Sequence, residues 1–86
     1  MLNRWAARAD ANSKEIDQAL LALGWLVHDT SRVGGGFPDR VVQRGGVTRL
    51  VEIKVAKGTL RPTQKAFTQL WDVSILRTVD DCRSLQ

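Results

Sequence analysis

The chain has one cysteine, Cys82, and one histidine, His28. A lone thiol excludes an intramolecular disulfide and any site built from several thiolates, which removes zinc fingers and iron–sulfur clusters; a lone imidazole removes a multi-histidine metal site within one chain. Glutamate is almost as scarce, with only Glu15 and Glu52 present. Two prolines and seven glycines are too few for a collagenous or disordered chain, and 43% hydrophobic with 26% charged residues is a globular composition. No apolar run approaches the roughly 20 residues of a membrane span, and the start MLNRWAARAD lacks the continuous apolar core of a signal peptide. The expectation is a soluble, cytoplasmic chain with no membrane partner.

The 86 residues fit one domain, residues 1–86, with an N-terminal arm over about 1–11. A chain this short hides only about 60% of its unfolded surface, so its core is small. Thirteen Lys and Arg against nine Asp and Glu give a net charge of +4, which favours an anionic partner such as nucleic acid. Nine of those cations are arginine, the residue whose planar fork suits phosphate, and they run from Arg4 to Arg83 as on a folded basic face.

Asn12 is a good helix cap with Glu15 three residues on, as in a capping box. Ile16, Ala19, Leu20 and Leu23 recur at helical spacing, predicting a helix over 13–23 that stops at Gly24. Residues 25–28 read as a strand, followed by a polar loop with Gly34-Gly35-Gly36. Residues 39–44 and 47–55 read as strands joined at Gly45-Gly46, a dipeptide suited to a tight hairpin. Pro62 suits a first helical position, and Phe67, Leu70 and Trp71 mark a helix to about Trp71. Residues 73–79 alternate as a half-buried strand, and Asp80 would cap a short last helix. The expected order is αβββαβα, an α/β fold. Trp25 and Trp71 are expected in the core, while Trp5, with Arg4 and Arg8, lies outside it.

A two-residue turn at Gly45-Gly46 pairs residues whose numbers sum to 91, so Asp39 faces Glu52. Strand side chains alternate, which puts Lys54 on the face of Glu52, along with Val41 and Leu50. Opposed carboxylates repel unless something neutralises them, and a divalent cation would. Oxygen ligation by carboxylates, a backbone carbonyl and waters suits Mg²⁺, and such an ion with a lysine beside it implies phosphodiester hydrolysis.

These residues carry a resemblance. Phe37-Pro38-Asp39 and, across a hairpin, Glu52-Ile53-Lys54 resemble the signature of the PD-(D/E)XK nucleases. Asp10-Ala11-Asn12 with Glu15 and Ile16, Leu60-Arg61-Pro62-Thr63-Gln64 opening a helix, and the late strand followed by Asp80-Asp81 are similar to small VRR-NUC domains, the virus-type replication-repair nucleases. The similarity covers about residues 8–85. It implies a restriction-endonuclease-like αβββαβ core, a central mixed sheet flanked by helices. It also implies a Mg²⁺- or Mn²⁺-dependent endodeoxyribonuclease in a bacterial or phage-infected cell. Asp39, Glu52 and the Ile53 carbonyl would hold the metal, with Glu15 reaching it directly or through water. Lys54 would position or activate the attacking water, and Gln64 would orient Lys54 or the phosphate. Branched DNA such as a four-way junction is the implied substrate, cut by a homodimer that brings two sites together. Arg61, where a Ser or Thr commonly precedes the proline, and Val55 after the lysine depart from the pattern.

Plainer roles stand beside these. Glu15 equally serves a capping box, Gln64 equally a solvated helix surface, and Lys54 a cross-strand ion pair. His28 reads as a partly exposed strand residue and Cys82 as a small packing residue. The three glycines are no phosphate loop, because no Lys-Ser/Thr follows them. Arg32, Arg40, Lys57, Arg61 and Lys65, with Arg44 and Arg49, are candidate phosphate contacts. Rival functions are flap cutting or nicking on the same site, and a non-catalytic DNA-binding or assembly module.

Overall fold

The computed structural model describes the backbone of residues 4–86 and the side chains from Asn12 onward. Its elements are α1 (Arg4–Ala22), β1 (Leu26–Asp29), β2 (Arg40–Arg44), β3 (Val47–Ile53), α2 (Pro62–Leu70), β4 (Val73–Leu76) and α3 (Val79–Ser84), in the αβββαβα order. The four strands form one mixed sheet in the order β1-β2-β3-β4. The first three pair antiparallel, and β4 returns through α2 to lie parallel to β3.

The helical apolar spacing buries Ile16 and Leu20 completely. At the end of α1, Trp25 N–H donates to Leu20 O and Gly24 N–H to Leu21 O, both at 3.0 Å, while Gly24 takes φ 93°. This is a Schellman stop, in which only glycine enters the left-handed turn without strain, and it delivers Trp25 into the core at 2% exposure. Arg44 covers that indole from outside, 4.3 Å above the ring.

Gly45 and Gly46 both have positive φ, 59° and 79°, and the hairpin they close pairs Arg40 with Val51 through to Arg44 with Val47. The period-two alternation then divides the sheet. Val42, Val51, Ile53 and Leu76 turn to the core face, where Ile16, Leu20, Cys82 and Leu85 meet them. The opposite face carries Val41, Leu50 and Glu52.

Several boundaries differ from the sequence reading. Helix α1 begins at Arg4, so Asn12 is interior to it and the Asn12–Glu15 capping box does not exist. The expected arm is helical backbone from Arg4 to Ala11; the side chains of Arg4, Trp5 and Arg8 lie outside the described residues. Strand β4 stops at Leu76 because Arg77 turns away, its guanidinium donating to Val55 O at 2.9 Å and to Gly58 O at 2.6 Å. Thr78, not Asp80, caps α3, accepting from Asp81 N at 3.2 Å. Trp71 does not reach the core and is 57% exposed. Among the described residues no helix is long and apolar enough to cross a membrane.

Candidate active site

The β2–β3 pairing ends with Arg40 opposite Val51, and Asp39, the residue just before β2, reaches the end of β3 through its side chain, where its charge acts on Glu52. Asp39 is held from three sides. Its Oδ2 accepts from Ile53 N at 3.0 Å, and its carbonyl accepts from Thr30 N at 2.8 Å and from the Arg40 guanidinium at 2.9 Å. Thr30 Oγ1 also donates to Pro38 O at 2.7 Å. The loop leading into β2 is therefore fixed before its carboxylate meets the site.

Glu52 is 2% exposed on the face away from the main core. Lys54, two residues on, brings its Nζ to 3.7 Å from Glu52 Oε2. Helix α2 contributes Gln64, 7% exposed, whose Nε2 donates to the same oxygen at 2.7 Å. The Gln64 Oε1 turns back to accept from Arg61 N at 2.9 Å, satisfying one of the open amides at the helix start. Gly36 allows this close approach: at φ 85°, a Cβ there would lie 2.3 Å from Thr63 O.

Burial, followed by the neighbouring Asp39 charge, pushes the Glu52 carboxyl up to about 7; the Lys54 ammonium pulls the other way without cancelling them. Two carboxylates and one ammonium thus meet in a cleft of about 450 Å³, lined also by Asn12, Ser13, Arg61 and Gln64. The set is all oxygen and nitrogen of hard character, and its negative charge is incompletely balanced. That arrangement fits a hard divalent cation held by one or two carboxylates and waters. Among the described residues no cluster of three or more His, Cys, Asp or Glu is present, so the acidic centre is the Asp39–Glu52 pair.

The sequence-expected site residues therefore separate. Asp39, Glu52, Lys54 and Gln64 come together around the cleft, with Ile53 between Glu52 and Lys54. Glu15 does not join them: it is exposed on α1 and lines no part of the cleft. The position the helix offers instead is Asn12, whose Nδ2 donates to Lys54 O at 2.8 Å. Its cap-like sequence context disguised that role, since a longer helix than the apolar spacing marks is needed to turn Asn12 inward. Arg40 also lines the cleft, but its charge is taken up within the fold. It is 6% exposed, and its guanidinium bonds both Asp17 oxygens at 2.9 and 3.0 Å and Asp29 at 3.1 Å. Arg32, Lys57, Arg61 and Lys65 are exposed, and of these Arg61 lines the cleft.

The fold and cleft define an α/β protein with a carboxylate–lysine centre. No family model, curated protein or solved structure matches the chain.

Proposed function

We propose that the chain is a metal-dependent hydrolase of phosphodiesters, acting on DNA as an endonuclease. More narrowly, we read it as a small VRR-NUC domain of the PD-(D/E)XK nucleases. The observation that carries the proposal is the meeting of Asp39, Glu52 and Lys54 at the end of one hairpin, with Gln64 hydrogen-bonded to Glu52 from the next helix. The mixed sheet with a parallel last strand and helices on its faces agrees with the αβββαβ core of those enzymes.

Asp39, Glu52 and the Ile53 carbonyl would hold Mg²⁺ or Mn²⁺. When bound, the ion supplies shielding of phosphate charge and makes water a better nucleophile. Lys54, fixed through its carbonyl by Asn12 and through its ammonium by Glu52, orients the attacking water or steadies charge growing on the phosphate. Gln64 holds the Glu52 carboxylate in place, which keeps Oε2 from rotating toward Lys54 alone. Arg61, exposed at the cleft edge, is the best-placed cation for a flanking phosphate. The positive net charge supports an anionic polymer as substrate. Branched DNA and a homodimer complete the proposal: one chain offers one such centre, and paired cuts need two.

The test is cleavage of an immobile four-way junction beside linear duplex and a flap, with Mg²⁺, with EDTA, and with Glu52→Gln. Metal-dependent paired cuts in the junction, absent in the variant, support the full reading. Equal cutting of all substrates retains the chemistry and removes the junction preference. Tight binding without cutting, in Mn²⁺ as well, would replace the enzyme with a DNA-binding module.

A further inference from the structure

Five aromatic side chains occur in the chain, and three of them form a single ladder. Phe37 meets Phe67 edge-on, with centroids 5.5 Å apart and planes at 70°. Phe67 in turn stacks against Trp71, centroids 5.6 Å apart and planes only 15° from parallel. One end of the ladder is tied to the cleft, since Phe37 lies two residues before Asp39 in the loop held by Thr30. The other end is open, with Trp71 57% exposed.

Two contacts to Phe67 place the indole. Phe67 supports it from one side, and its backbone N–H donates to Phe67 O at 2.9 Å, which fixes the residue at the end of α2. The outward surface is therefore a preorganised π face, and stacking on it costs little side-chain entropy. A nucleobase is the flat partner that such a face takes regardless of sequence. A duplex keeps its bases stacked on one another, so only an unpaired base can present its face.

The placement selects the same partner. Gln64 touches Glu52 at the first turn of α2, and Trp71 follows seven residues later, about 10 Å along the helix axis. Two exposed cations flank Gln64 in the chain, Arg61 at the cap of this helix and lining the cleft, and Lys65 on the helix itself. We propose that Trp71, backed by Phe67 and Phe37, is a stacking platform for an unpaired base of the DNA strand whose phosphate occupies the cleft. The inference rests on the nuclease reading of that cleft and adds a preference for substrates with single-stranded character.

The experiment titrates the full chain, Trp71→Ala and Trp71→Phe with a fluorescently labelled oligothymidylate and with a duplex of equal length, in EDTA, and records mass by light scattering. Trp71→Ala should weaken oligothymidylate binding roughly 5- to 150-fold. Trp71→Phe should recover most of that loss, duplex binding should stay unchanged, and the mass should stay that of the parent. Unchanged oligothymidylate binding, an equal loss on duplex, or a fall in mass that accounts for the loss would overturn the platform; the last would make Trp71 and the 84%-exposed Leu70 a contact between copies. Parallel cleavage assays in Mg²⁺, with Glu52→Gln as the blank, separate the two ideas. Selective loss of strand binding with no cutting of any DNA leaves the platform standing and removes the nuclease, whereas cutting with no effect of Trp71 does the reverse.

Discussion

Gln64 Nε2 donates to Glu52 Oε2 at 2.7 Å across two elements, helix α2 and strand β3, and both side chains are almost wholly buried. A buried amide given to a carboxylate stabilises its ionised form, while its own oxygen is used by Arg61 N. Gln64→Ala removes both bonds at once, and an expected loss of about 1 to 3 kcal/mol follows from leaving a buried acceptor short of a donor. Gln64→Glu is the sharper variant, because it places a third carboxyl group against a pair that already repels. Urea unfolding should show Gln64→Glu well below Gln64→Ala at pH 8, with the gap narrowing at pH 5 as a proton is shared.

The raised Glu52 carboxyl gives the metal-free protein a signed pH dependence. The folded state holds its proton up to about 7, against 4.5 for the ordinary carboxyl, so between those values the folded form binds more protons than the unfolded one. Stability therefore falls as pH rises through that window, by on the order of 3 kcal/mol in full. Asp29 and Asp81 act in the opposite sense and below it: hydrogen bonds from Ser31 and from Arg77, respectively, lower their carboxyls from 3.8, and that stability is lost as pH falls further. In EDTA, unfolding free energies measured from pH 4.5 to 8 should slope downward for the parent and flatten for Glu52→Gln. Mg²⁺ should restore stability to the parent at pH 8 far more than at pH 5, where protons compete for the same carboxylates.

Gly34 and Gly36 form a matched pair for separating backbone strain from packing. Both take positive φ, 82° and 85°, so alanine is strained at either, by about 1 to 2 kcal/mol. Only at Gly36 does the added Cβ run into neighbouring backbone, 2.3 Å from Thr63 O and 3.1 Å from Gln64 N, whereas at Gly34 nothing lies within 4 Å. Thermal melts should show Gly34→Ala mildly destabilised and Gly36→Ala markedly more so. Since the clash pushes the start of α2 away from the sheet, Gly36→Ala should also lower metal-dependent cleavage more than its melt alone explains.

The hairpin was the most legible part of the chain. Gly45-Gly46 dictates a turn and the turn dictates the pairing of Arg40 through Arg44 with Val51 through Val47; Asp39, one residue before the first pair, is then placed at the end of β3 by Ile53 N and Thr30 N. Trp25 was legible for the same reason, standing immediately after a helix stop. What the sequence hid depends on tertiary choice. Asn12 looks like a cap because apolar spacing begins just after it, yet the helix continues back to Arg4 and Asn12 reaches Lys54 across 42 residues. Trp71 looks like core because it follows Phe67 at helical spacing, but Gln64 is the buried residue of α2, and Trp71 lies just past the helix end at 57% exposure. Glu15 reads equally as a cap partner and as a site carboxylate, with the resemblance favouring the latter, and the rotation of α1 leaves it in solvent.

Arg40 is one of the cations whose charge suggests a phosphate contact, and its surroundings use that charge within the fold. Its guanidinium joins α1 to the sheet through Asp17, meets Asp29 on β1, and holds the Asp39 carbonyl. At 7% and 29% side-chain exposure, the Arg40–Asp17 pair is sheltered enough that breaking it from one side leaves a poorly solvated charge, a loss of about 3 kcal/mol. Asp29, at 65% exposure, adds little. Arg40→Met should therefore lower the melting temperature, and Asp17→Asn in the same chain should return part of the loss by removing the orphaned carboxylate. DNA binding at graded salt distinguishes this role from a phosphate contact. Arg61→Met, at the open edge of the cleft, should reduce the slope of log affinity against log salt by about one. Arg40→Met should leave the slope unchanged while the protein remains folded, and a reduced slope would return Arg40 to the DNA-facing surface.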